Sequence, residues 1–189
     1  MDVTAAVTLF AWLDHELWLL TAQSGDRRGG LIATFVSQAS IVPDLPRVVV
    51  GLSKEHSTWE LVEASGAFAL HLLSEEQMEL VWRFGLESGR DADKLAGLET
   101  TAGVTGSPRL AEAVGWLDCR VETRLDIGDR TLYVAEVVEG RVANFAPPLT
   151  TRRLMERAPA PRLAQMQRQR QHDSYLDAQA ILAWRGRDA

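Results

Sequence analysis

Between Trp116 and Leu125 the residues alternate in character, with Leu117, Cys119, Val121 and Leu125 set against Asp118, Arg120, Glu122 and Arg124. A period of two is the signature of a strand with one face in a core and one facing water, and no helix can sort these residues that way. Ile127-Gly128-Asp129 then supplies turn chemistry, and Leu132–Val138 reads as the returning strand of a hairpin. Upstream, residues 17–23 form an apolar run ended by Ser24-Gly25-Asp26, residues 30–38 a second, and Arg47–Leu52 a short β-branched third. Pro43 and Pro46 mark the loop between the last two. Strands outnumber helices, so the expected fold is mainly β, an antiparallel barrel or sandwich with peripheral helices.

Two helix starts interrupt the strands. Ser57 and Glu60 have the spacing of a capping box ahead of a helix to about Ala64, and Ser74 with Gln77 repeats it ahead of one ending near Phe84-Gly85. Ala67–Leu73 lies between them as a strand. Residues 85–108 read as a long loop with a short helix around 91–96. The expected division is a barrel domain over residues 1–146 and an Arg-rich helical extension over 147–189. The extension carries a polar helix near Arg162–Gln171 and an apolar patch from Tyr175 to Trp184.

The charge is uneven. Residues 152–189 hold eight Arg against Glu156, Asp173, Asp177 and Asp188, or +4, which leaves −10 on residues 1–151 of a chain with net charge −6. Such a tail can meet nucleic acid or an acidic membrane, or pack on the acidic body of its own chain or of a partner subunit. The tail's aromatics are only Tyr175 and Trp184, too few for a base-stacking platform, so no nucleic-acid role is expected. With no basic start, no apolar run of roughly 18 residues and a single cysteine, the chain is expected to be a cytoplasmic protein without a membrane segment or disulfide.

Several chemistries find no support. There is no GxGxxG, GxxxxGK[ST] or GxSxG motif, and the histidines at 15, 56, 71 and 172 have no metal-like spacing. His71 and Cys119 fall in strands and read as structural residues. What remains is two segments rich in hydroxyl and amide groups, Ala33–Ser40 and Ser53–Thr58. The second opens a helix, whose free N–H groups and dipole suit a phosphate dianion, with Lys54 as a charged partner.

The run Gly30-Leu31-Ile32-Ala33-Thr34-Phe35-Val36-Ser37-Gln38-Ala39-Ser40-Ile41-Val42-Pro43 resembles the Thr/Ser-rich strand and proline of the flavin reductase-like family. Ser53–Thr58, Ser65–Leu73, Asp93-Lys94-Leu95, Trp116–Arg120 and Gly128-Asp129-Arg130 follow in that family's order over about residues 15–143. The resemblance implies an FMN-binding split β-barrel, a homodimer with the flavin near the subunit interface. Carried over, Thr34, Phe35, Ser37, Gln38 and Ser40 line the ring and ribityl chain, and Ser53, Lys54, Ser57 and Thr58 hold the phosphate.

The activity implied is hydride transfer from NADH or NADPH to flavin, which needs orientation more than a protein acid or base. The alternative is an FMN-containing, flavoredoxin-like electron carrier reduced by a partner enzyme. Two departures from the family stand out. Arg130 replaces the usual His of the Gly-Asp motif, and Pro43-Asp44-Leu45-Pro46 replaces adjacent prolines. The tail is expected to cross a dimer and cover the flavin pocket, with Arg152 or Arg153 near a phosphate.

Overall fold

The computed structural model describes residues 4–87, 89 and 93–187. Its frame is a curled antiparallel sheet of seven strands in the order β2-β1-β5-β8-β9-β4-β3. The strands are β1 (Trp18–Ser24), β2 (Arg27–Ala33), β3 (Val36–Gln38), β4 (Arg47–Ser53), β5 (Ala67–Leu72), β8 (Gly115–Asp126) and β9 (Arg130–Val142). A separate two-stranded ribbon, β6 (Thr100–Ala102) with β7 (Pro108–Leu110), packs against it. The architecture is that of a split barrel, as the family resemblance implied, and it settles the choice between barrel and sandwich that the strand pattern left open.

The apolar runs have a direct cause. Along β1, Leu20 and Ala22 point into a core shared with Val50, Leu52, Phe68, Leu70, Cys119 and Tyr133. Leu19, on the opposite face, joins Leu17, Leu73, Val81, Trp82, Phe84, Leu95 and Leu110 in a second core. A strand buried on both faces cannot alternate in polarity, which is why residues 17–23 are continuous in character. The β1–β2 turn is tight, with Ser24 opposite Arg27 and Gly25 at φ 57°, a conformation that costs glycine least.

α2 (Ser57–Ser65) and α3 (Met78–Leu86) cover the sheet. α2 is pinned by Trp59 Nε1–H donating to Thr131 Oγ1 at 3.0 Å and by the Tyr133 hydroxyl donating to Glu63 Oε1 at 2.6 Å. Ahead of α3, the Ser74 N–H donates to Gln77 Oε1 at 3.0 Å, the expected reach-back bond. At α2 the expected capping box does not form. His56 is the N-cap, without a side-chain cap bond, Ser57 is the first helical residue, and Glu60 turns to Arg27 at 3.0 Å.

Other expectations are corrected in detail. The run 30–38 is two strands, because the chain leaves the β2–β1 ladder after Ala33 and pairs with β4 from Val36. The expected loop 85–108 contains β6 and ends in β7; in the described part of the expected helix, residue 93 is irregular and 94–96 are turn, and residues 91 and 92 lie outside the described residues. α1 (Thr4–Trp12) is an addition to the expected elements. The tail is α4 (Thr151–Arg157) followed by one 26-residue helix, α5 (Ala160–Arg185), with Pro161 in its first turn, where a missing N–H costs nothing. Arg153 and Arg157 both meet Glu75, and the N–H of Arg152 donates to Asp14 Oδ1 at 2.8 Å, so the tail does pack on its own acidic body. No helix of the described residues is long and apolar enough to cross a membrane.

The polar residue Asp118 is buried despite its place in the alternation. The ribbon explains it, since Thr105 donates to its carboxylate from N–H at 3.0 Å and from Oγ1 at 2.5 Å. His71 is likewise buried and doubly bonded. Its Nδ1–H donates to the Leu19 carbonyl at 3.0 Å, and its Nε2 accepts from the Leu110 N–H at 3.1 Å. This pairing fixes the neutral tautomer, and burial pushes its pKa down to about 4. The unfolded chain therefore binds a proton that the folded one refuses between pH 6.5 and 4. Stability is full above 6.5 and falls by up to roughly 3 kcal/mol as pH drops through that window. Urea unfolding across pH 4–7.5 should show this slope, and His71→Gln should flatten it.

Candidate functional site

β3 is an edge strand whose partner, β4, sets its register. Val36 faces Val50, Ser37 faces Val49 and Gln38 faces Val48. The Gly51 N–H donates to the Phe35 carbonyl at 2.9 Å, and the Ala39 N–H to the Arg47 carbonyl at 2.8 Å, so Phe35 to Ala39 runs flush along β4. Thr34 to Ser40 spans about 20 Å at strand rise. At the Arg47 end this edge opens onto a groove of about 830 Å³ in the barrel mouth. Trp18, Val36, Val48, Leu117 and Val137 form its apolar wall, and Ser37, Gln38 and Ser40 its polar rim.

At the other end β4 delivers Ser53 and Lys54 to the start of α2. The β9 turn fixes Lys54 by backbone, its N–H donating to the Asp129 carbonyl at 3.1 Å. Its Nζ pairs with Asp126 Oδ1 at 2.6 Å, and that contact with the Gly128 N–H holds the Asp126 carboxyl below its ordinary pKa. An exposed pair of this kind is worth only about 0–1 kcal/mol, so Lys54 can turn to a ligand at small cost. His56 contributes no cap, which leaves the first N–H groups of α2 without that partner.

Three further basic side chains lie near this helix start. Lys94 is 6% exposed, and its Nζ donates to the Phe84 carbonyl at 2.9 Å. Burial lowers its pKa to about 8. It lies beside Ser57, since a Cβ at Gly89 would meet both Ser57 Oγ, at 2.8 Å, and Lys94 Cε, at 3.4 Å. His56 is exposed, yet the groups around its ring partly desolvate it and lower its pKa, with Asp173 opposing the effect and the charges of Lys94 and Arg130 adding to it. Arg130 stacks 4.6 Å from the centre of the Phe35 ring and binds two carboxylates, Asp129 Oδ2 at 2.5 Å and Asp177 Oδ2 at 2.8 Å.

The structure thus gathers the expected residues into two groups along one edge. Ser37, Gln38 and Ser40 rim the groove; Gln38 Nε2 donates to the Ser40 carbonyl at 2.6 Å, and Ser40 Oγ accepts from the Val42 N–H at 3.1 Å. Thr34 is half-buried between the groups, and Phe35 is exposed beneath Arg130. Ser53, Lys54 and Ser57 meet at the helix start. Thr58 does not join them, being 2% exposed, with its hydroxyl turned toward Gly29 of β2. Arg152 and Arg153 lie at Asp14 and Glu75 instead of at the helix start, because α4 docks beside those acids.

Lys94 and Asp177 join the site only in the folded chain. The Asp93-Lys94-Leu95 motif is the sequence signal for the first, whereas nothing local marks the second. Among the described residues no group of His, Cys, Asp and Glu could hold a metal ion. The cations and the N–H groups at the helix start suit an anion, and the groove at the far end of the edge suits an apolar group. With Lys94 near pKa 8, sulfate should bind more weakly as pH rises from 7 to 9.5, and Lys94→Met should remove most of that dependence, both measurable by calorimetry.

A model of the flavin reductase like domain matches residues 12–156, which takes in all nine strands and all but the last residue of α4, and leaves α5 outside. Over 168 residues the chain is 34% identical to the ferric-chelate reductase (NAD(P)H) of Archaeoglobus fulgidus, covering 87% of this chain and 96% of that protein. Its fold matches flavoredoxin from Methanosarcina acetivorans with a TM-score of 0.63 at 24% identity, over 68% of this chain and 69% of that one. It also matches an FMN-binding protein from Thermus thermophilus with a TM-score of 0.64 at 23% identity, over 70% and 74%. On its sequence and its split-barrel fold, this chain belongs to the flavin reductase-like family.

Proposed function

We propose that the β3–β4 edge binds FMN and that the protein is an NAD(P)H-dependent flavin oxidoreductase. The observation that carries this reading is the shared strand edge. An apolar groove rimmed by Ser37, Gln38 and Ser40 lies at the Arg47 end of the β3–β4 edge, and the α2 start, where His56 supplies no side-chain cap, follows Lys54 at its Ser53 end. The groove wall suits a flat aromatic ring, and its rim supplies hydrogen bonds that orient it. Ser53, Lys54 and Ser57 take the phosphate together with the first N–H groups of α2, while Lys94 strengthens the local field from below. Thr58 shapes the helix start from beneath. Bound FMN supplies a two-electron acceptor for the hydride of NADH or NADPH.

The chain's own part is to bind, orient and exclude water. Glu16, Arg47 and Glu139 are the charged residues lining the groove, and the reading asks for no protein acid or base. Arg130, aligned over Phe35, stands at the site rim with its charge taken up by Asp129 and Asp177. A second reading, an FMN-containing carrier reduced by a partner enzyme, is favoured by the −10 charge of residues 1–151, which would steer a basic protein toward this body. The similarity to a named NAD(P)H reductase along nearly its whole length weighs toward the enzyme.

Homodimerisation belongs to the same proposal. α1 carries no charged residue and buries none of its side chains, with Phe10 70% and Trp12 69% exposed. Burying two such side chains contributes about 1.5–3 kcal/mol each, and a second copy is the natural cover for them.

Purified protein should be yellow or take up FMN, and anaerobic NADH or NADPH should bleach it with catalytic turnover. Bleaching only by a partner protein selects the carrier, and failure to retain or bind any flavin overturns both readings. Lys54→Met and Ser57→Ala should each weaken FMN binding by roughly tenfold, about 1.4 kcal/mol, without altering the fold seen by circular dichroism. Light scattering should give twice the chain mass, and Phe10→Glu with Trp12→Glu should return it to the monomer.

A further inference from the structure

α5 is held differently from the rest of the chain. None of its residues is buried, and it lies outside the segment matched by the family model. Its first half packs on α3, where Met166 joins the second core and Arg162 lies 5.8 Å from the centre of the Trp82 ring. Its second half crosses the rim of the candidate site. Gly128, in the turn that leads into Arg130, lies so close to α5 that a Cβ there would come within 2.8 Å of Trp184 Cβ and 3.1 Å of the Ala180 carbonyl. Nearby on the same helix, Asp177 Oδ2 takes Arg130 Nη2 at 2.8 Å, and Asp173 lies near enough to act on His56.

Arg130 is therefore oriented but occupied. Its guanidinium lies over Phe35, with Asp129 of the β8–β9 turn on one edge and Asp177 of α5 on the other. Asp129 is fixed by that turn, whereas Asp177 rides on a helix with no buried anchor. The oxygen that Asp177 presents is an anionic acceptor in the position that a phosphoryl oxygen would take on an arginine fork.

We propose that Arg130 is a phosphoryl-binding residue of this site, and that Asp177 on α5 is the internal anion that a phosphorylated ligand displaces from it. The ligand chemistry is a phosphate monoester or diphosphate, and two sources share it: the flavin's own phosphate and the diphosphate of the nicotinamide donor. This deepens the flavin reductase reading and rests on it for those two ligands, though not for the exchange of one anion for another. An intramolecular competitor lowers the apparent affinity by the fraction of time it holds the site. Removing its charge should therefore tighten binding, the reverse of what losing a structural contact does.

The full-length protein tests this with Asp177→Asn, which keeps the side-chain shape. Three affinities are compared with the wild type: inorganic pyrophosphate by calorimetry, FMN by fluorescence quenching, and the KM for NADH and NADPH at fixed FMN. Pyrophosphate should bind roughly three- to tenfold more tightly, and Arg130→Gln should abolish the gain in the double variant. A tighter FMN constant identifies the flavin phosphate as the displacing group; a lower KM with unchanged FMN binding identifies the donor.

In the wild type, hydrogen exchange of residues 173–184 should quicken when the displacing ligand is added, a readout that needs no variant to fold. Unchanged affinity for all three probes in Asp177→Asn, or slower exchange of 173–184 on ligand binding, overturns the proposal. If flavin binding alone is lost, the pyrophosphate comparison still decides between exchange and no exchange at Arg130 and Asp177, so the two readings fail separately.

Discussion

β9 pairs on both sides, with β4 along Arg47–Ser53 and with β8 over almost its whole length. Everything that defines the site hangs on these two ladders. The β8–β9 ladder slips register between Asp118 and Cys119 and again between Val121 and Thr123. Each slip adds local twist and bends the strands, and a sheet bent twice in the same hairpin curls into a half-barrel instead of lying flat. The curl opens the groove at one end of β4. The β4–β9 ladder sets Ser53 opposite Arg130 at the other end, so helix start, lysine and arginine converge.

The buried polar groups show how the sheet is closed underneath. His71, Asp118 and Thr21 each bond to the segment 105–110: His71 to the Leu110 N–H, Asp118 to Thr105, and Thr21 Oγ1 to the Pro108 carbonyl at 2.5 Å. An unpaired buried polar group costs on the order of 1–3 kcal/mol, so these contacts tie the ribbon to one register. The buried Lys94 ammonium is held from another side, donating to the carbonyls of Phe84 in α3 and Gly30 in β2. The structural residues thus hold the charged ones in place.

Charge at the rim is graded by how firmly it is paired. Lys54 faces water and one exposed carboxylate, so its commitment to Asp126 is weak. Arg130 is largely shielded, stacked and doubly paired. Lys94 is buried, and burial has already lowered its proton affinity. An anion arriving here meets a readily freed cation at the surface, a pre-aligned one that must exchange partners, and a fixed field below.

The sequence alone determined the β-rich frame, the β1–β2 and β8–β9 hairpins, α2 and α3, and the clustering of Ser53, Lys54 and Ser57, because periodicity, turn residues and helix starts are written in neighbouring positions. It also carried the family, through motifs whose order survives without contact information. It misleads wherever the outcome depends on distant partners. The Ser57–Glu60 spacing predicted a capping box, but Arg27, thirty-three residues before Glu60, takes the carboxylate. The buried state of Asp118 and Thr58 and the β6–β7 ribbon escaped for the same reason: a short polar segment becomes core only when another layer covers it. Only the tertiary structure brought α5 across the site and set Asp177 on Arg130, forty-seven residues away in the chain, since an ion pair between a turn and a terminal helix has no local pattern and exists only once both elements are packed.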